Sequence, residues 1–129
     1  MKTIIIILLV VALVFVGYTM YNDKKDMETK FVLYCGLTDA TSGEQLLTVA
    51  DAIPTARKVI LDREIGYTEY VAYGGRAENG MVKENDTLIY VLTFIDRAEA
   101  EEIADEIMKK LNIDYVLIEE TTAKLAFVD

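Results

Sequence analysis

The run IIIILLVVALVFVGY at residues 4–18 holds no charged side chain, and TMY extends it to Tyr21 before NDKKDMETK turns polar. A stretch this long and apolar limits what the chain can do with its first residues. As a helix rising 1.5 Å per residue, 18 residues reach about 27 Å, close to the hydrocarbon thickness of a bilayer. The pattern predicts a transmembrane anchor over residues 1–21, in contact with the lipid bilayer through residues 4–21. A polar tether at 22–30 and one folded domain over 31–129 follow it. A cleaved signal peptide is the competing reading, since Lys2 and the amino terminus form a short positive region. Against it, the run exceeds an ordinary signal core, no Ala-x-Ala follows, and Phe15 stands two residues before Gly17, too large for a cleavage site. Lys24 and Lys25 compete with Lys2 under the positive-inside rule. The expected topology is a single-pass signal anchor in the cell membrane with the domain on the outer side; secretion after cleavage is the alternative.

Residues 31–129 carry 9 Lys plus Arg against 19 Asp plus Glu, a formal charge of −10. That field repels phosphate backbones and excludes nucleic acid as a partner. The chain has no His and no Trp, and Cys35 is its one cysteine. Intramolecular disulfides, His or Cys metal clusters and Ser-His or Cys-His nucleophile pairs are therefore excluded, leaving carboxylates, Lys, Tyr, Ser and Thr for any chemistry. No catalytic residue, metal ligand or cofactor is assigned from the sequence.

The elements of the domain follow from periodicity. FVLYCGL (31–37) alternates as a strand, with Phe31, Leu33, Cys35 and Leu37 on one face and Val32 and Tyr34 on the other. Asp51 as a cap, Pro54 in a first turn, and the stripe Ile53, Ala56, Val59 and Ile60 predict a helix over about 52–64, with Gly66 as its C-cap. YTEYVAY (67–73) and DTLIYVLTFI (86–95) have the β-branched and aromatic content of strands, and Asn79-Gly80 between them is a turn dipeptide. Asp96-x-x-Glu99 is a capping pair, followed by Ala100, Ile103, Ala104, Ile107 and Leu111 at helical spacing. DYVLIEE closes as a strand, and KLAFV adds a short edge piece. The order strand, helix, strand, strand, helix, strand is that of an α+β ferredoxin-like βαββαβ sandwich, an antiparallel four-stranded sheet with two helices on one face.

Gly74, Gly75 and Gly80 pose the question of a phosphate cradle. Such a cradle needs glycines that lead from a strand into a helix N-terminus. Here a strand follows, and Glu84 and Asp86 oppose an anion, so the glycines read as a hairpin connection. Gly74, Gly75, Arg76 and Lys83 are the residues of that hairpin that a ligand would meet. The EAEEIADE run reads as a solvated helix face, Glu119 and Glu120 point to opposite faces of a strand, and Cys35 reads as a small buried hydrophobe. Asn85-Asp86-Thr87 spells a glycosylation sequon.

The apolar and tyrosine residues predict more. Both faces of the strands are apolar, whereas a two-layer sandwich with one wet face should alternate. An apolar sheet face bearing tyrosine marks an interface. The expected surface is Val32, Tyr34, Leu88, Tyr90 and Leu92, with a homo-oligomer or an envelope protein as partner.

From Phe31 onward, LYCGLTD, GYTEY, ENDTLIY and LNIDYVLIE resemble small bacterial and phage domains of unknown function. Their members look like ferredoxin-like sandwiches in the manner of the nitrogen-regulatory and divalent-cation-tolerance proteins, which associate into trimers. The resemblance implies the fold and brings no site residue with it. The expected function is a membrane-tethered, non-enzymatic association module. A small-ligand sensor of the trimeric regulatory type, with ligand between subunits near residues 74–86, is the alternative, and a carboxylate-based hydrolase the third reading.

Overall fold

The computed structural model describes residues 1–23 and 26–129 with their side chains. By internal contacts the chain forms two units, Met1–Glu28 with Thr122–Asp129, and Thr29–Thr121.

The first unit is built on α1 (Lys2–Lys25). Its stretch Lys2–Asp23 has a mean hydropathy of 2.8 and no part of it is buried, so it is long and apolar enough to cross a membrane. Within it Thr19 donates from Oγ1 to the carbonyl of Val16 at 2.9 Å, which satisfies a polar group that lipid could not. Asp23 ends the apolar stretch and its Oδ1 lies 3.2 Å from Lys124 Nζ. The expected orientation of the anchor rests on Lys24 and Lys25, which lie outside the described residues.

The sheet and its helices run β1 (Met27–Gly36), α2 (Val49–Leu61), β2 (Tyr67–Glu78), β3 (Met81–Thr93), α3 (Arg97–Leu111) and β4 (Val116–Lys124). The strands form one antiparallel sheet in the order β2-β3-β1-β4, the ferredoxin-like arrangement. Most of the stretch 22–30 expected as a tether is regular structure, because α1 continues through it and β1 begins at Met27. The last strand also runs longer than expected, to Lys124, and takes in part of KLAFV; residues 125–129 are not in a strand.

Antiparallel register assigns the faces. Phe31 pairs with Leu92, Leu33 with Tyr90 and Cys35 with Leu88. All six are at most 1% exposed and meet Ala52, Ala56, Val59 and Ile60 of α2 and Ala100, Ile103 and Ile107 of α3. Tyr34 pairs instead with Ile89, and Val32 with Val91, on the other face. The expected surface therefore divides. Val32 and Tyr34 belong to the open face, whereas Leu88, Tyr90 and Leu92 are core residues turned toward the helices, because directly opposite residues share a face and successive residues alternate between faces. The open face carries Val32, Tyr34, Ile89 and Val91, with Thr68 and Tyr70 of β2 opposite Val91 and Ile89.

Polar contacts fix the helices over this core. Tyr67 of β2 meets Tyr90 edge-on at 5.8 Å between ring centroids. On the same face of β2, Glu69 takes Arg57 of α2 in a two-pronged pair, Nε to Oε2 at 2.9 Å and Nη2 to Oε1 at 2.6 Å. That guanidinium, outweighing partial burial, holds the Glu69 carboxyl below its ordinary range. Tyr90 Oη is buried beside it, and burial together with that carboxylate holds its phenol well above the ordinary range.

Helix ends show where the residue-by-residue reading holds. Asp96 caps α3, its Oδ1 accepting from Glu99 N at 2.8 Å, and Lys109 and Lys110 lie in the last turn. On α2 the cap is Thr48 rather than Asp51: Thr48 Oγ1 accepts from Asp51 N at 3.1 Å, so the helix starts a turn earlier and Pro54 lies inside it. Its exit turns through Glu64, at φ 58°, not through Gly66.

Two predictions follow from these contacts. Left-handed backbone costs a side-chain-bearing residue about 1–2 kcal/mol, and glycine loses about 0.5–1 kcal/mol of unfolded-state entropy. Replacing exposed Glu64 by glycine should therefore stabilise the domain by about 0.5–1 kcal/mol in chemical denaturation. Glu69 has a depressed folded pKa, so its contribution to stability is present above the unfolded carboxyl pKa of about 4.3 and is lost as pH falls through the folded value. Arg57→Gln should lower stability at neutral pH, and the gap from wild type should close on acidification below that point; a gap that persists unchanged would remove the ion pair from the account.

Candidate functional site

The open face is not uniform, because two of its positions lack side chains. Gly36 of β1 pairs with Thr87, and Gly74 of β2 pairs with Asn85, so the glycines flank β3 on either side. A Cβ on Gly36 would come within 2.8 Å of Asn85 Nδ2, and one on Gly74 within 3.2 Å of Asn85 Oδ1. Both glycines therefore make room for one amide, which lies between them and donates to Thr38 Oγ1 at 2.9 Å. Around this floor lies an open cleft of about 350 Å³, with Tyr34, Tyr115 and Leu117 among its walls.

The remaining wall is the loop after β1, and it is tied down at several points. The Asp39 carboxylate accepts from Ser42 N at 2.8 Å, Thr41 N at 3.0 Å and Asn112 Nδ2 at 2.8 Å. Those donors, the Ser42 amide first, hold its carboxyl below the usual range. Asn112, left-handed at φ 52°, thus ends α3 and anchors the loop at once. Gln45 is locked against β3: its Nε2 donates to Asp86 Oδ2 at 2.9 Å and its Oε1 accepts from Asp86 N at 2.7 Å. A site whose polar groups are held before a ligand arrives loses less entropy on binding.

The hairpin supplies the cations. Gly74 and Gly75 lie within β2, and the turn itself is Asn79-Gly80, with φ of 52° and 77° as a type I′ hairpin needs. The connection is thus a regular ribbon, longer than the loop read from the sequence. Arg76 and Lys83 are directly opposite each other. Lys83 Nζ lies 3.1 Å from Glu78, while Arg76 reaches Glu78 and Asp114 at 3.7 and 3.8 Å. Gly74, Gly75, Arg76 and Lys83, the four hairpin residues singled out in the sequence, all line the cleft, and Glu44 and Glu84 line it as well.

Tyr34 joins the two halves of the open face. Its Oη donates to Glu119 Oε2 at 2.8 Å across to β4, and that carboxylate is the first cause of its raised pKa. Cys35, the next residue, points the other way: it is fully buried, and burial pushes its thiol up to about 12. No cluster of three or more metal-ligating side chains occurs among the described residues. Sequence reasoning missed Gly36, Gln45, Asn85 and Tyr115 as parts of one site. Asn85 was visible only as a sequon letter, and Gly36 only as a strand end, because the pairing that unites them is set by strands far apart in sequence.

No family model matches the chain, and no curated protein matches it. Among solved structures it is similar to a phage SAM lyase in complex with S-methyl-5'-thioadenosine, with a TM-score of 0.57 and 10% identity over 73% of this chain and 80% of that one. A phage SAM lyase in the apo state gives a TM-score of 0.52 at 10% identity, covering 81% of this chain and 94% of that one. A de novo designed protein, Foldit4, is 18% identical over 77% of this chain, at a TM-score of 0.36. At these identities the lyase structures show a shared fold and assign no residue of this chain a role.

Proposed function

We propose that this chain is a membrane-anchored domain that binds a small nucleoside-type molecule in the cleft floored by Gly36 and Gly74. The observation that carries the reading is that floor. The two glycines let the Asn85 amide lie between them as a polar floor, Tyr34 and Tyr115 offer stacking faces above it, and Gln45, Thr38 and Thr87 add amide and hydroxyl groups around it. About 350 Å³ is at the small end of ligand sites, which suits a nucleoside better than a dinucleotide. Glu44, Glu84, Glu78 and Asp114 stand around Arg76 and Lys83, so the surroundings favour a ligand without phosphates. The phage lyase that shares the fold is complexed with S-methyl-5'-thioadenosine, an uncharged nucleoside thioether, which makes that class the first to test.

A second reading has its own support. Tyr70, Tyr115 and Leu117 are each about half exposed on the open face, and association with another copy or an envelope protein would cover them. Binding and association are compatible, since a covering subunit would close the cleft.

For the first reading, thermal unfolding of the full chain in detergent should show stabilisation by S-methyl-5'-thioadenosine or adenosine, worth about 2.7 kcal/mol at one hundred times the dissociation constant. Adenosine monophosphate should bind more weakly. Asn85→Ala should reduce nucleoside affinity about tenfold, the loss of one good hydrogen bond. Absence of stabilisation by every nucleoside would end this proposal. For the second, Tyr70→Glu should shift the oligomer distribution in native mass spectrometry toward monomer while changing stability by less than about 0.5 kcal/mol, as an exposed site allows; an unchanged distribution would count against association through this face.

A further inference from the structure

We infer that residues 125–128 make a second contact with the membrane, seating Leu125 and Phe127 in the lipid interface beside the end of α1. β1 begins at Met27, two residues after α1 ends, and β4 lies next to β1 in an antiparallel sheet. A strand antiparallel to β1 returns the chain to the end from which β1 set out, so whatever follows Lys124 emerges where the membrane helix stops. The ion pair between Lys124 Nζ and Asp23 Oδ1, 3.2 Å, pins that return at the last residue of the apolar stretch, and residues 122–129 fall in the same compact unit as residues 1–28. With α1 across a bilayer, Asp23 lies at the headgroup level, and Lys124 lies there with it.

The chain beyond Lys124 has the composition for that place. Leu125, Ala126, Phe127 and Val128 follow in succession, and Leu125, Phe127 and Val128 are 38%, 88% and 97% exposed. Four residues span at most about 14 Å, so the segment cannot leave the vicinity of the headgroup layer, itself about 5–8 Å deep on each side. Aromatic and aliphatic side chains at that depth are stabilised by lipid, while a lysine beside them keeps its charge in the headgroups. The occupant of this apolar segment is therefore the bilayer interface to which its own chain is fastened.

The chain has no tryptophan, so Phe127→Trp introduces a single reporter at an exposed position. The full-length variant, reconstituted one copy per nanodisc of phosphatidylcholine and phosphatidylglycerol, should give blue-shifted emission, quenching by lipids brominated along the acyl chain, and protection from aqueous iodide. Val82→Trp, on the hairpin and 72% exposed, serves as the comparison and should show water-like emission open to iodide. Adding Leu125→Glu to Phe127→Trp should move the reporter toward the water-like signature. Iodide-accessible, red-shifted emission at position 127 that bromolipids leave unquenched would overturn the inference. So would a lipid signature that Leu125→Glu leaves unchanged, since the reporter would then sense the nearness of α1 and not insertion of the segment.

Discussion

The register between β1 and β3 is the constraint on which the rest of the domain depends. Setting Leu33 against Tyr90 commits Phe31, Cys35, Leu88 and Leu92 to one layer and Val32, Tyr34, Ile89 and Val91 to the other. A slip of one residue would turn all of β3 over and put Ile89 and Val91 under the helices. Nothing in the local apolar pattern forbids that slip, because β3 is apolar on both faces. What discriminates is shape and polarity beneath the helices: Tyr90 reaches Tyr67 edge-on beside the Arg57–Glu69 pair, and Thr87 and Asn85 fall outside the core. The register that buries the core is thus also the one that brings Asn85 between Gly36 and Gly74.

The cleft is a by-product of that arrangement before it is anything else. Two glycines on strands that flank β3 leave backbone bare on an otherwise side-chain-covered face, and the amide of Asn85 occupies part of the gap. The loop beyond β1 would be free to collapse into such a gap were it not held by Asp39, Asn112 and Gln45. Most of these restraints are hydrogen bonds to backbone amides or between side chains of different elements, and each is individually modest. Together they keep the wall of the cleft standing in the absence of a ligand.

How much of this could be read from the residues alone depends on the range of the interaction. The α3 cap at Asp96 and Glu99 was legible because both partners lie within one turn, and the element order was legible because each period is local. The start of α2 misled because Thr48 and Asp51 are both good caps and only packing decides between them. The sheet faces misled for a deeper reason. Tyr34 and Tyr90 look alike in an alternating pattern, yet which face each takes is a property of pairing between strands far apart in the chain, the hardest kind of information to extract from one sequence. The hairpin cations were found because they are neighbours of a glycine pair, whereas Gln45 and Tyr115 reach the site from loops and strands whose proximity only folding creates.

Cys35 lies at the centre of the sheet layer that this register closes, fully buried and with its thiol held in the protonated form. A thiol in that state is chemically silent while the helices stay docked, and becomes an ordinary cysteine once they lift. As the chain's one cysteine, it makes the protein its own opening clock: the rate at which a thiol reagent consumes it counts excursions of the sheet away from α2 and α3, with no added probe and no second site to confuse the reading.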